Sequence, residues 1–420
     1  MAVLIKNALI LASNSEFFNK KMDVLIEGGK ITEIKKGISA KPGIRVIEEE
    51  DICLSAGWMD MQACFCEPNE EHRESIESGC KAAAKGGFTT VCVHGQNKYA
   101  IGNKATVEYI LNKADKTVQL VPIGSLTQKT EGNDIAEMFD MQQAGALAFG
   151  DYKKPILNPG VLLRALQYTA GIKSVVIAHC NDTFISHSGQ MNEGPVSTEM
   201  GLKGMPSLAE ELMLERNISI LEYTGGKLHI PTVSSAGSVE LVKKAKNRGL
   251  NITAGVAALN LCFDDSALKG FDTNFKTDPP IRSKKDMEAL RKGVESGIID
   301  VIVSDHCPYD TESKDLEFDL AEFGASNIQT TVYCLVEAFK DRDISKAITA
   351  ITINPRKILN LPVPSIKEGE EADITIFSLQ QKSMLTDKSN ESRSKNNHFL
   401  NKEMPGKIIG IIRGAKSVFS

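Results

Sequence analysis

The chain has 420 residues, 42% hydrophobic and 25% charged, with a formal net charge of −5. That length holds one large core and a smaller accessory one. The acidic balance argues against a nucleic-acid or anionic-membrane surface, and no segment approaches the roughly 18 apolar residues of a membrane span.

The N-terminus carries no basic stretch followed by a long apolar run, so no signal peptide is expected. Nine cysteines, odd in number and often inside apolar segments (Cys53, Cys92, Cys334), indicate a reducing compartment, the cytoplasm.

Residues 2 to 54 form a run of short strands, with Gly28-Gly29 as a hairpin turn. From residue 55 the rhythm becomes strand then helix. Ser55 to Pro68 contains a short buried strand, Gly57 to Met61, that runs into a polar turn. Candidate strands follow at 58–61, 89–94, 118–123, 146–150, 175–179, 227–231, 251–256 and 300–304. Amphipathic helices separate many of them, for example 235–248 and 284–296. Eight buried strands with intervening helices predict an α/β fold, a (β/α)8 TIM barrel over residues 55–360. Chemistry on such a barrel sits just past the C-terminal ends of the strands. The segments 369–377 and 407–414 again read as plain strands after helix 344–353. Residues 1–54 and 361–420 are therefore expected to form a small β-sandwich domain built from both termini. The polar stretch 388–397 is expected to be a mobile loop. No phosphate-binding glycine loop is present.

Seven motifs occur in order: Ala56-Gly-Trp-Met-Asp-Met, Glu67-Pro68, Gly86-Gly-Phe-Thr-Thr-Val, Ala178-His-Cys, Gly201-Leu-Lys-Gly-Met-Pro-Ser-Leu-Ala-Glu-Glu, Pro279-Pro-Ile-Arg and Ser304-Asp-His-Cys-Pro. With the domain layout they resemble the amidohydrolase superfamily, and within it dihydroorotases of the bacterial, multifunctional-complex type. The resemblance implies a site of one or two zinc ions that hold a hydroxide and polarise a cyclic amide. The retained family metal positions are Asp151, His179 and Asp305, the last also the family's proton carrier. The family's first-strand His-x-His falls on Gln62 and Cys64, and its sixth-strand histidine on Thr232. The four substrate contacts considered fall on Cys66, Gln96, Asp278 and Tyr309, none of which matches the family residue.

Zinc lowers the pKa of water from about 15.7 to about 7, which is on the order of 12 kcal/mol of nucleophile activation. A lone aspartate base, worth about 10²–10⁴-fold in rate, does not replace it. Two readings follow. In the first, the chain is a catalytically impaired dihydroorotase homologue of pyrimidine biosynthesis, a homodimer acting as a structural or regulatory partner of aspartate transcarbamoylase. In the second, it is an active hydrolase of cyclic amides with one atypical zinc held by Cys64, His179, Asp151 and Asp305. The cofactor expectation is accordingly no zinc, or one partially liganded ion. Without metal, Cys64 and Cys66 are expected to act as small fillers, with His179 protonated between Asp151 and Asp305. Lys153 and Lys154 are expected to be solvated loop charges. His306 is expected to stabilise its loop, and His94 to make an ordinary polar contact. A shifted register on the sixth strand would present His229 in place of Thr232.

Overall fold

At Gly57 the chain passes from a sheet into a barrel, and only glycine fits that crossing. A Cβ there would lie 2.0 Å from Asp373 Oδ1 and 2.1 Å from Thr89 Oγ1. The computed structural model describes residues 2–95, 100–114 and 116–420. Before Gly57 come β1 (Ala2–Ile10), β2 (Lys21–Glu27), β3 (Lys30–Lys35), β4 (Arg45–Ile47) and β5 (Ile52–Ala56). The turn between β2 and β3 is made by Gly28 and Gly29, both at positive φ, as the sequence predicts.

The barrel strands follow: β6 (Trp58–Ala63), β7 (Phe88–His94), β8 (Gln119–Ile123), β9 (Ala148–Gly150) and β10 (Val175–Ile177). A two-residue pair, β11 (Met191–Asn192) and β12 (Gly204–Met205), sits in the loop that follows. Then come β13 (Leu228–Ile230), β14 (Ile252–Ala257) and β15 (Val301–Val303). The C-terminal strands are β16 (Asp373–Met384), β17 (Glu403–Arg413) and β18 (Lys416–Phe419).

β6-β7-β8 and β9-β10-β13-β14-β15 are runs of parallel neighbours. Bridges Gly124–Phe149 and Ala63–His306 join the two runs at both edges, closing the predicted eight-stranded barrel. The remaining strands form one hydrogen-bonded sheet, in the order β18-β17-β16-β5-β1-β2-β3 with β4 on β1. Its isoleucine- and valine-rich core includes Val3, Ile26, Leu54, Ile374 and Ile412.

Trp58 locks barrel to sheet. Its ring meets Phe88 and Phe377 edge-on at 5.8 and 5.3 Å, and its Nε1–H donates to Ser55 Oγ. Buried Arg356 does the same with polar bonds, donating to Gly57 O and Thr352 O at 2.7 Å each and to Asp373 at 3.1 Å.

Two expectations need correction. The helix predicted to end at Ile353 runs on through Pro355 to Ile358. Anchoring by Arg356 outweighs the proline's lost N–H there. The stretch 388–397 is no free loop: Ser392, Ser394, Asn396 and Asn397 are buried. Asn396 Nδ2 donates to Cys307 O and Gly324 O, and Asn397 Nδ2 to Ser326 O. Its polarity serves carbonyls of the loop after β15, which would otherwise be buried unpaired. Among the described residues, no helix is long and apolar enough to cross a membrane.

Candidate functional site

The residues singled out from the sequence lie at or just past the C-terminal ends of the barrel strands. Gln62 stands in β6, with Cys64 and Cys66 after it, all essentially inaccessible. Both amide atoms of Gln62 lack a hydrogen-bond partner among the described residues. The Cys64 and Cys66 sulfurs are 3.6 Å apart and pack with Tyr152, Cys307 and Tyr309. Burial pushes the Cys66 thiol well up and Cys307 up to about 11, so both are neutral packing groups at physiological pH.

Past β9 comes Asp151-Tyr152-Lys153. The Asp151 carboxylate accepts the N–H of Leu126 at 2.8 Å, the N–H of Thr127 at 3.0 Å and the Thr127 hydroxyl. Burial raises its pKa against those bonds. Tyr152 sits at φ +55°, as Cys66 does at +56° and Asp305 at +52°. Left-handed backbone at non-glycine residues costs about 1–3 kcal/mol each and collects at sites.

After the tyrosine the chain turns inward, and the expectation for Lys153 fails. Its side chain is 11% exposed, and Nζ lies 2.7 Å from Asp305 Oδ2 while also donating to Asp278 O. Burial works against the charged ammonium, but Asp305 and neighbouring groups raise its pKa, so it stays charged. Lys154 is half-buried and bonds Thr130 Oγ1 at 3.0 Å.

His179, two residues past β10, does not bridge Asp151 and Asp305. Its Nε2 is 3.3 Å from Asp278 Oδ2, without the alignment of a hydrogen bond, and its Nδ1 has no partner. Burial tends to raise Asp278, but His179, Lys153 and Arg282 hold it below the usual carboxylate range. Asp305 is raised, burial outweighing Lys153, and its Oδ1 has no partner. The expected arrangement fails because Asp151 is taken up by the 126–127 backbone and Asp305 by Lys153.

Thr232, two residues past β13, is buried with its hydroxyl unpartnered. His229 lies within β13, its Nδ1 2.9 Å from Thr253 Oγ1. Burial, aided by His94, brings His229 down to about 3. His94 Nε2 meets Met61 O at 2.9 Å, its ring lies 5.4 Å from that of Tyr152, and burial lowers it to about 4. Tyr309 packs its ring 3.7 Å from the Arg73 guanidinium, and its N–H donates to Ser394 Oγ and Asn396 Oδ1. His306 Nε2 lies 3.4 Å from Glu74, and its Nδ1 faces Ser326 and Ile328 N. It ties loops together as expected. Gln96 lies outside the described residues.

A cavity of ≈ 360 Å³ opens at the barrel mouth, lined by Tyr152, Lys153, Lys154, Asn181, Asp278 and Tyr309 among others. Asp151 is also in its wall, whereas Gln62, Cys64, His179, Thr232 and Asp305 are buried and are not. Among the described residues, no three or more His, Cys, Asp or Glu side chains are grouped to hold a metal ion. Lys153 escaped sequence reasoning although a signal existed, since it stands at the C-terminal end of a barrel strand, where side chains are directed to the mouth.

The chain is thus an α/β barrel with its candidate site at the strand ends and a β domain built from both termini. The model of the amidohydrolase family matches residues 50–418. The chain is 36% identical over 415 residues to a dihydroorotase of Syntrophus aciditrophicus (strain SB), covering 97% of each. It is 37% identical over 422 residues to one of Pelotomaculum thermopropionicum, covering 100% of this chain and 98% of that protein. An L-hydantoinase (dihydropyrimidinase) from Arthrobacter aurescens superposes with a TM-score of 0.85 at 19% identity, over 100% of this chain and 96% of that one, a likeness of fold. The chain belongs to the amidohydrolase family and, within it, to the homologues of dihydroorotase.

Proposed function

We propose that this chain is a dihydroorotase homologue of pyrimidine biosynthesis, of the type that works in a multifunctional complex. In this reading it has lost zinc-dependent ring opening and serves as a structural or regulatory partner of aspartate transcarbamoylase. One observation carries the proposal: the donor set at the mouth does not fit zinc. The family generally uses zinc, and such sites need three or four good ligands. Here Gln62 and Thr232 offer only an amide and a neutral hydroxyl. Asp151 is already committed to Leu126 and Thr127, and Asp305 to Lys153. For Cys64, His179, Asp151 and Asp305 to close on one ion, Asp151 would have to abandon its hydrogen bonds and Lys153 would have to leave. Substrate access points the same way, because Gln62, Cys64 and Asp305 are buried and do not line the cavity. An intact fold over the full length of its relatives, with altered metal positions, suits a protein kept for its surface.

The experiment is metal analysis, a dihydroorotate hydrolysis assay and co-purification with the aspartate transcarbamoylase of the same organism. We expect substoichiometric zinc, no turnover above buffer, and a stable complex. Stoichiometric zinc with ring opening at an ordinary enzymatic rate would overturn the reading.

A further inference from the structure

We propose that Lys153 is a built-in cation, an ammonium tethered between Asp305 and Asp278 that keeps divalent metal out of the barrel. The inference deepens the zinc-independent reading above and rests on it.

The geometry begins at Asp151, which faces backward onto the 126–127 backbone. Tyr152 follows in left-handed backbone, φ +55°. The Lys153 side chain then runs into the protein, 11% exposed, while Lys154 bonds Thr130 at the cavity's edge. The Lys153 Nζ reaches Asp305 Oδ2 at 2.7 Å and the backbone carbonyl of Asp278, whose carboxylate lies 3.3 Å from His179 Nε2 and feels the ammonium through space. The two carboxylates share one buried region and repel each other. Two such anions with no cation between them would be strongly unfavourable. In a metal site the ion supplies the missing charge; here the chain supplies it from its own strand end.

Exclusion of the ion follows from the same contact. A divalent ion bound by Asp305 would meet an ammonium already bonded to that carboxylate. Lys153 also lines the mouth cavity. The buried groups outside its wall include several atoms without protein partners, namely the Gln62 amide, the Thr232 hydroxyl and Asp305 Oδ1. Their polarity is what remains of an ion-binding chamber once its charge is met by lysine.

The test uses the full-length protein and Lys153→Met, which keeps the chain's length and removes its charge. Wild type is expected to give no calorimetric signal with zinc or manganese and the same melting temperature with or without either ion. Lys153→Met is expected to melt lower in metal-free buffer, and to bind zinc at least tenfold more tightly than wild type, with a rise in melting temperature. The double variant Lys153→Met/Asp305→Asn, which leaves no orphaned charge on that side, is expected to recover at least half of the lost stability and to lose the zinc response. Should Lys153→Met fail to fold, the double variant must fold and must be insensitive to zinc. Wild-type protein that takes up one equivalent of zinc overturns the proposal. So does a Lys153→Met variant that melts like wild type, or one that is destabilised yet takes up no metal, or a double variant that gains nothing over the single one. Turnover of dihydroorotate by metal-free wild type would sink the functional reading alone. A silent Lys153→Met would sink only the role of the lysine.

Discussion

The Asp60 carboxylate on β6 accepts the backbone N–H of Ser304, just past β15, at 3.1 Å. It also takes the Ser304 hydroxyl and the N–H of Gln62, so one fully buried side chain pins the first barrel strand to the eighth. Burial pushes its pKa up to about 6 against the pull of these bonds. Asp60→Ala would leave two backbone N–H groups unpaired in the interior. We expect a loss of about 2–4 kcal/mol, read by urea unfolding at pH 7. A loss under about 0.5 kcal/mol would mean that the barrel closes without this bridge.

Two buried histidines set the response to acid. His94 and His229 are lowered by burial to about 4 and about 3, against 6.5 for the free side chain. Folded protein therefore holds fewer protons than unfolded protein below pH 6.5. The stability of this neutral burial is fully present above pH 6.5 and is lost as pH falls towards 4 and then 3. Asp60, between about 6 and 3.8, and the raised Asp151 and Asp305 act in the opposite sense, binding more protons when folded, and offset part of the slope. The net expectation is acid destabilisation, of which His94→Gln removes about 1.4 kcal/mol per pH unit between pH 6 and 4.5. Unfolding free energies of wild type and variant at four pH values check it; parallel curves would contradict it.

The barrel was legible because its strands are short apolar runs with helices and glycine stops between them, and each boundary fell within a few residues. That Gln62, Cys64 and Thr232 gather, buried, at the strand ends where the motif resemblance puts them was legible. The replacement cation was not. Whether Lys153 points to water or to Asp305 depends on tertiary placement of a strand end 152 residues away in sequence, which residue types alone do not encode. The polar run 388–397 misled for a related reason. Its serines and asparagines look solvated until one sees that their partners are carbonyls some 70 to 90 residues away in sequence.

Chelation should leave the protein unchanged. On the proposal that Lys153 takes the place of a metal at Asp305, with Asp151 held by the 126–127 backbone, the folding free energy is expected to owe nothing to a bound ion. Dialysis against EDTA is expected to shift the melting temperature by less than about 1 °C. A structural zinc would instead add stability by linkage, a few kcal/mol or more at saturating metal. A fall of several degrees after chelation, reversed by added zinc, would therefore contradict the geometry.

The segment 388–397 carries the last prediction, because it couples the β domain to the barrel mouth. Glu74, wholly buried, accepts the Ser392 hydroxyl and the N–H of Arg393. Asn396 Nδ2 spans Cys307 O at 3.3 Å and Gly324 O at 3.1 Å, and its Oδ1 receives the N–H of Tyr309. Arg393 and Lys395 are exposed on this otherwise anchored strip, so trypsin has its recognition residues but not the extended, free backbone that cleavage requires. Wild type should thus resist cutting there under native conditions. Asn396→Ala leaves Cys307 O without this donor, at about 1–3 kcal/mol, while Gly324 O keeps Lys314 Nζ and the Tyr309 N–H keeps Ser394 Oγ, and the strip loses its side-chain tie to the loop. Native trypsin digestion with mass spectrometry should find cleavage after Arg393 or Lys395 accelerated at least tenfold in the variant. Cleavage there in wild type at the rate of an unfolded peptide would return the segment to the status of a free loop.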